Sequence, residues 1–175
     1  MTKPMIETLV TANAAFIRQG LTMLDGLTPA QYRGQSPAGL ASAGAHLRHV
    51  LDHYLTFLDG VETGRVDYDA RPRDGTVETE PDRARTVGRE TIERLEALGR
   101  ATPDRALEVR MDCGGGTSPL WVGSSVGREL QFLVSHTVHH YALIKSGLAD
   151  AGVELPEEFG VAPSTLAFRS GACAR

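Results

Sequence analysis

The chain has 175 residues, of which 41% are hydrophobic types, and a formal net charge of −4. That length suits one domain with a sizeable core, and the acidic balance argues against a nucleic-acid partner, whose binding face would be basic. No apolar run is long enough to span a membrane, and no signal-peptide block follows the amino terminus. With Cys113 and Cys173 far apart and without metal-finger spacing, the expectation is a reduced, cytoplasmic protein.

Residues 4–25 read as a first helix. Ile6, Leu9, Val10, Ala14, Ile17, Leu21 and Leu24 follow the 3.6-residue period, and Gly26 ends it. Thr28 and Pro29 look like a cap followed by proline at the first helical position, which predicts a helical turn over 29–33. The segment 34–39 reads as a loop. A second long helix is expected over 42–59, capped by Ser42. Its inner stripe carries His46, His49 and His53, which fall within about 60° of one another on a helical wheel.

The stretch 60–78 shows no helical period and reads as a long crossover. It is rich in Asp and Arg. Either it is solvated and tied down by local ion pairs, or it covers the mouth of a site and brings Tyr68, Arg71 or Arg73 near a substrate. A third helix is expected over 81–100, its apolar side made by Ala84, Val87, Ile92, Leu95 and Leu98. Leu107–Met111 alternates as a short strand does, and 120–122 can return as the second strand of a hairpin. Trp121, the sole tryptophan, is expected to anchor packing. The glycines at 114–116 do not form a phosphate loop, because no Gly-Lys-Ser/Thr follows them.

A fourth helix is expected over 124–147, opened by its serines and closed by Gly147. His136 and His140 lie one turn apart on the apolar stripe of Phe132, Leu133, Leu143 and Ile144, so their imidazoles point the same way. Residues 150–175 read as irregular, with Phe159, Val161, Leu166 and Phe168 packing back on the helices or on a partner chain.

Four long helices with one long crossover predict an all-α fold, a four-helix bundle with a short β-hairpin before the fourth helix and an irregular carboxy-terminal tail. All six histidines fall on the second and fourth helices. In a bundle, metal sites are built from facing helices. Three neutral imidazoles around a divalent ion, with one position left open, form a catalytic arrangement. The expected ligands are His136, His140 and one histidine of the second helix. His49 is favoured because it lies mid-helix beside apolar Val50. His46 and His53 are then hydrogen-bonding partners, proton carriers or water contacts, and His139 is expected at the edge of the site or outside it. Glu129, two turns before His136, is a candidate acid/base or orienting group, or else pairs with Arg48 or Arg128. Glu129 and His53 are the candidate catalytic residues. Asp52 is expected to hold the free nitrogen of a ligand histidine. The competing reading is a metal-free buried network of histidines, or a non-catalytic, stress-related metal-binding dimer.

The pattern from Ser42 to His53, with His49 seven residues after Ser42, together with His136 and His140 in the fourth helix, resembles the DinB/YfiT-like superfamily. The resemblance covers about residues 5–150, leaves 151–175 as a tail, and implies a single domain over 1–175. It implies a divalent metal, zinc or nickel and sometimes iron, held by three histidines that fall here on His49, His136 and His140. It also implies a small-molecule substrate, with either a low-molecular-weight thiol cosubstrate in S-transfer or water in hydrolysis. The additional His46, His53 and His139 and the Arg/Asp-rich segment 65–74 depart from the common pattern.

Overall fold

The computed structural model describes residues 3–35, 39, 41–101, 103–114 and 120–171. Four long helices dominate it: α1 (Lys3–Asp25), α3 (Ala43–Thr63), α5 (Pro81–Ala101) and α6 (Val126–Asp150). Two short helices, α2 (Pro29–Arg33) and α4 (Gly75–Thr79), lie between them, and α7 (Pro163–Arg169) follows. The apolar stripe of α1 packs on both α5 and α6, and α3 packs on the same two helices. Ile6, Val10, Ile17, Leu47, Leu51, Leu95, Leu130 and Leu133 are buried in the shared core.

The caps follow from the side chains available. The Thr28 hydroxyl accepts from Gln31 N at 3.2 Å while the Gln31 side chain accepts from Thr28 N at 2.8 Å, a reciprocal capping box. The Ser42 hydroxyl accepts from Ala45 N at 3.0 Å and opens α3. Gly64, with φ 80°, closes it in the left-handed region that suits glycine.

A buried polar network crosses the core. Asn13 on α1 donates to the Leu130 carbonyl of α6 at 3.0 Å, and Tyr54 on α3 donates to Asn13 Oδ1 at 2.8 Å. Thr137 on α6 donates to the Leu133 carbonyl at 2.7 Å and lies 3.2 Å from the Tyr54 hydroxyl. These bonds fix the relative height of α1, α3 and α6.

Several expectations are corrected. The segment 60–78 is not an unstructured crossover: α3 continues to Thr63, then come β1 (Arg65–Asp67), a 3-10 turn (Tyr68–Ala70) and α4. The strand β1 was too short to show a period. It pairs in parallel with β2 (Ala106–Arg110), which pairs antiparallel with β3 (Val122–Ser125). The hairpin is present, but its second strand lies three residues further on at its end than the apolar pattern suggests. Helix α6 runs through Gly147 to Asp150, because a glycine inside a helix costs only about 1 kcal/mol and the apolar face continues to buried Leu148. The tail holds α7, where Pro163 sits at a helix start. Phe159 stacks on Tyr141, whereas Phe168 is 76% exposed. Trp121 is 36% exposed and lies beneath the guanidiniums of Arg65 and Arg110 rather than in the core. Cys113 is exposed; Cys173 lies outside the described residues, as do 115–119, which include two of the three glycines that follow Cys113.

Candidate metal centre

The α3–α6 contact brings five of the six histidines into one cluster. Their helical spacing aims His46, His49 and His53 from α3 at His136 and His140 from α6. The His49 ring lies 5.0 Å from that of His136 and 4.5 Å from that of His140, and the last two are 4.5 Å apart. One nitrogen from each of His49, His136 and His140 falls within 4.8 Å of the others, a spacing that could hold a metal ion. His139 is exposed, its ring edge-on to His140 at 5.1 Å.

Burial disfavours the imidazolium form throughout the cluster. It lowers the pKa of His49 and His53 to about 4, of His140 to about 3 and of His136 to about 2, with neighbouring positive charge adding to the effect. For His49 the added charges are chiefly Arg71 and Arg48; for His140 and His136 they are other histidines. His46 is lowered by burial and by His139. The cluster is therefore a set of neutral nitrogen donors at neutral pH, the form that binds metal.

The hydrogen bonds are incomplete in a way that suits a cation. His140 Nε2 lies 3.2 Å from His136 Nε2, and His140 Nδ1 lies 3.0 Å from His46 Nδ1. Each neutral ring has one N–H, so nitrogens facing nitrogens leave lone pairs to be shared. His46 Nε2 and His136 Nδ1 are buried without a hydrogen-bond partner. A cation taking the inward lone pairs of His49, His136 and His140 relieves the nitrogen-to-nitrogen contact between His136 and His140, and the residues fit such a group. His46 then supplies the outer partner for His140 that sequence reasoning assigned to Asp52.

Asp52 does not reach a histidine. It is buried, its carboxyl pKa raised by burial, and it accepts from Arg48 Nη1 at 2.8 Å. Arg48 also reaches Glu78 of α4 at 3.0 Å. His53 donates through Nδ1 to the His49 carbonyl at 2.8 Å, since a carbonyl can only accept. Its Nε2 lone pair faces Arg71 Nη1 at 3.4 Å.

Glu129 is buried at the start of α6, and its carboxylate pairs with neither Arg48 nor Arg128. Oε1 accepts from the Ser124 hydroxyl at 2.5 Å and Oε2 from the Tyr68 hydroxyl at 2.8 Å. The Tyr68 ring stacks on His53 at 5.4 Å, and the Phe132 ring lies 5.4 Å from Tyr68 and 5.6 Å from His136. Tyr68 and Phe132 thus stand between the histidines and a cleft of about 280 Å³, whose lining includes Met111, Val122, Ser124 and Glu129. Sequence reasoning offered Tyr68 at a site mouth as one of two readings of the segment 60–78 and missed its bond to Glu129. Of the two serines read as the helix start, Ser125 fills the capping role by accepting from Arg128 N at 3.2 Å, while Ser124 turns to Glu129 instead. The alternation of Ser124 and Ser125 in β3 was the available signal for opposite roles.

A mostly helical scaffold thus carries, on two facing helices, three neutral histidines that could hold a metal ion. The DinB superfamily model matches residues 17–144, and the chain belongs to that superfamily. A 43-residue stretch is 51% identical to FK506-binding protein 5 of Rhizopus delemar, covering 25% of this chain and 11% of that protein. No solved structure matches. Among the described residues, no helix is long and apolar enough to cross a membrane.

Proposed function

We propose that this protein is a divalent-metal-dependent enzyme in which His49, His136 and His140 hold the ion and a small-molecule substrate enters beside them. The observation that carries this reading is the convergence of the three inward nitrogens within 4.8 Å, supported by the depressed imidazole pKa values. In this reading the domain is a single four-helix bundle over 1–175, with its core at about 5–150. A bound zinc or nickel ion would act as a Lewis acid and lower the pKa of a thiol cosubstrate or of water.

The chain's own residues have separable parts in this scheme. His46 orients His140 through the Nδ1 contact. Tyr68 and Phe132 exclude water from one side of the cluster. His53 offers its Nε2 lone pair as a proton acceptor beside His136, whose ring is 4.0 Å away. Glu129, held by Ser124 and Tyr68, handles a proton from the cleft side.

Elemental analysis of the native chain against His49→Ala and His140→Ala tests the site. About one divalent ion per chain, lost in both variants, is the expected result. No uptake by the native chain, even after supplementation, ends the reading. Small thiols presented with electrophilic acceptors, run beside ester and amide hydrolysis, then separate S-transfer from hydrolysis.

A further inference from the structure

Arg71 stands at the edge of the histidine cluster with its hydrogen bonding unfinished. Nη1 donates to the Tyr68 carbonyl and lies 3.4 Å from His53 Nε2, a long contact. Nε is buried and has no partner. Among the described residues no carboxylate comes within ion-pair distance of it, whereas Arg48 on the same rim is paired with both Asp52 and Glu78. The carboxylates whose fields favour the Arg71 charge are engaged elsewhere, Asp52 with Arg48 and Asp69 with the backbone N–H of Asp112 at 2.6 Å. Arg73, two residues on, holds φ at 51°, a costly conformation for a residue with a side chain. Burial and the like charge of Arg73 both disfavour the Arg71 cation. An arriving anion relieves both.

We propose that Arg71 is the specificity-determining residue of the site and recognises an oxyanion, a carboxylate or a phosphate, on the small molecule that binds beside the histidines. The inference rests on the catalytic reading above and names the substrate's charge. With Nη1 committed to Tyr68, the guanidinium keeps the edge formed by Nε and Nη2, two parallel N–H donors that match the two oxygens of such a group. The Nε end of that edge is buried in the resting chain, so the guanidinium turns to present both donors to its ligand. The contact given up, to His53 Nε2, is weak, and giving it up exposes the lone pair of His53 to the substrate. The field of Arg71 already reaches His49, where it is the largest charge effect, so an anion bound there also offsets positive charge at the cluster.

The test is calorimetric titration of the full-length chain, metal-loaded and metal-free, with succinate, with inorganic phosphate and with neutral succinamide. The variants are Arg71→Gln and Arg71→Lys. Succinate or phosphate is expected to bind the native chain, and whichever binds more tightly identifies the oxyanion. Affinity should fall about tenfold or more in Arg71→Gln. It should fall less in Arg71→Lys, which keeps the charge and loses the fork. Succinamide should not bind. Equal oxyanion affinity in the native chain and in Arg71→Gln overturns the proposal, as does the absence of binding by both anions. If Arg71→Gln does not fold, unchanged affinity in Arg71→Lys overturns it instead. The metal-free arm excludes direct ligation of the anion by the ion. Metal content measured on the same samples scores the catalytic reading separately: a native chain without metal that still binds the anion through Arg71 refutes that reading alone.

Discussion

The Nδ1 atoms of His46 and His140 lie 3.0 Å apart across the α3–α6 contact. One must donate and the other accept, so His46 selects the tautomer of His140 and leaves the other nitrogen of His140 toward His136. His46→Ala should therefore retain metal but bind it more weakly, by about 10- to 100-fold, as expected for loss of a ligand's outer partner. Competition with a chelator measures this, and His140→Ala, which removes a ligand itself, should lose the metal outright.

The depressed histidines make the metal-free protein sensitive to acid. His49 and His53 titrate near 4 in the folded chain, and an unfolded histidine titrates near 6.5. Between these values the unfolded state binds more protons, so stability is at its full value above about pH 6.5 and falls as pH drops toward 4. Urea unfolding of the metal-free chain across that window should show a midpoint that declines with acid. Metal loading should raise the midpoint at neutral pH, since an ion that binds only the folded state stabilises it.

Tyr68→Phe should cost stability, because it leaves Glu129 Oε2 buried without the hydroxyl that now sits 2.8 Å away. About 1–3 kcal/mol is expected from denaturant unfolding. The double variant with Glu129→Gln should cost less than the sum of the two single changes, since both act on one bond.

Asn13→Ala should destabilise the chain by about 1–3 kcal/mol, as it removes the acceptor of Tyr54 and the donor to Leu130. Asn13→Asp is not a substitute, since it places a charge at a fully buried position.

Gly44→Ala should loosen α4. A methyl group there would collide with the Glu78 backbone carbonyl and the Tyr32 ring. The cost is about 1–3 kcal/mol, and the Arg48–Glu78 pair should open, which thermal unfolding and the structure of the variant would report.

Local signals carried much of the fold into view. Ser42 and the Thr28–Pro29 pair marked helix starts because capping needs only a side-chain oxygen and the next turn. The five clustered histidines were legible because 3.6-residue spacing places i, i+3, i+4 and i+7 on one face. The three strands were harder. β1 has three residues, and its partner β2 lies some forty residues away, with α4 and α5 between them. Its identity comes from the parallel ladder, which no local window contains. Arg48 took Asp52 away from the histidines because α4 carries Glu78 to the same guanidinium, a choice set by the docking of a five-residue helix.

From the sequence alone came the faces: periodicity assigned the histidines of α3 and α6 to inward stripes, because side-chain direction along a helix follows from residue count. The tertiary structure decided which atoms meet. The height of α3 against α6, fixed by Tyr54, Asn13 and Thr137, sets His46 against His140 and His53 against His136. The turn after β1 then brings Tyr68 to Glu129 and Arg71 to His53. Those pairings depend on distances between elements far apart in the chain, and only packing of the whole core determines such distances.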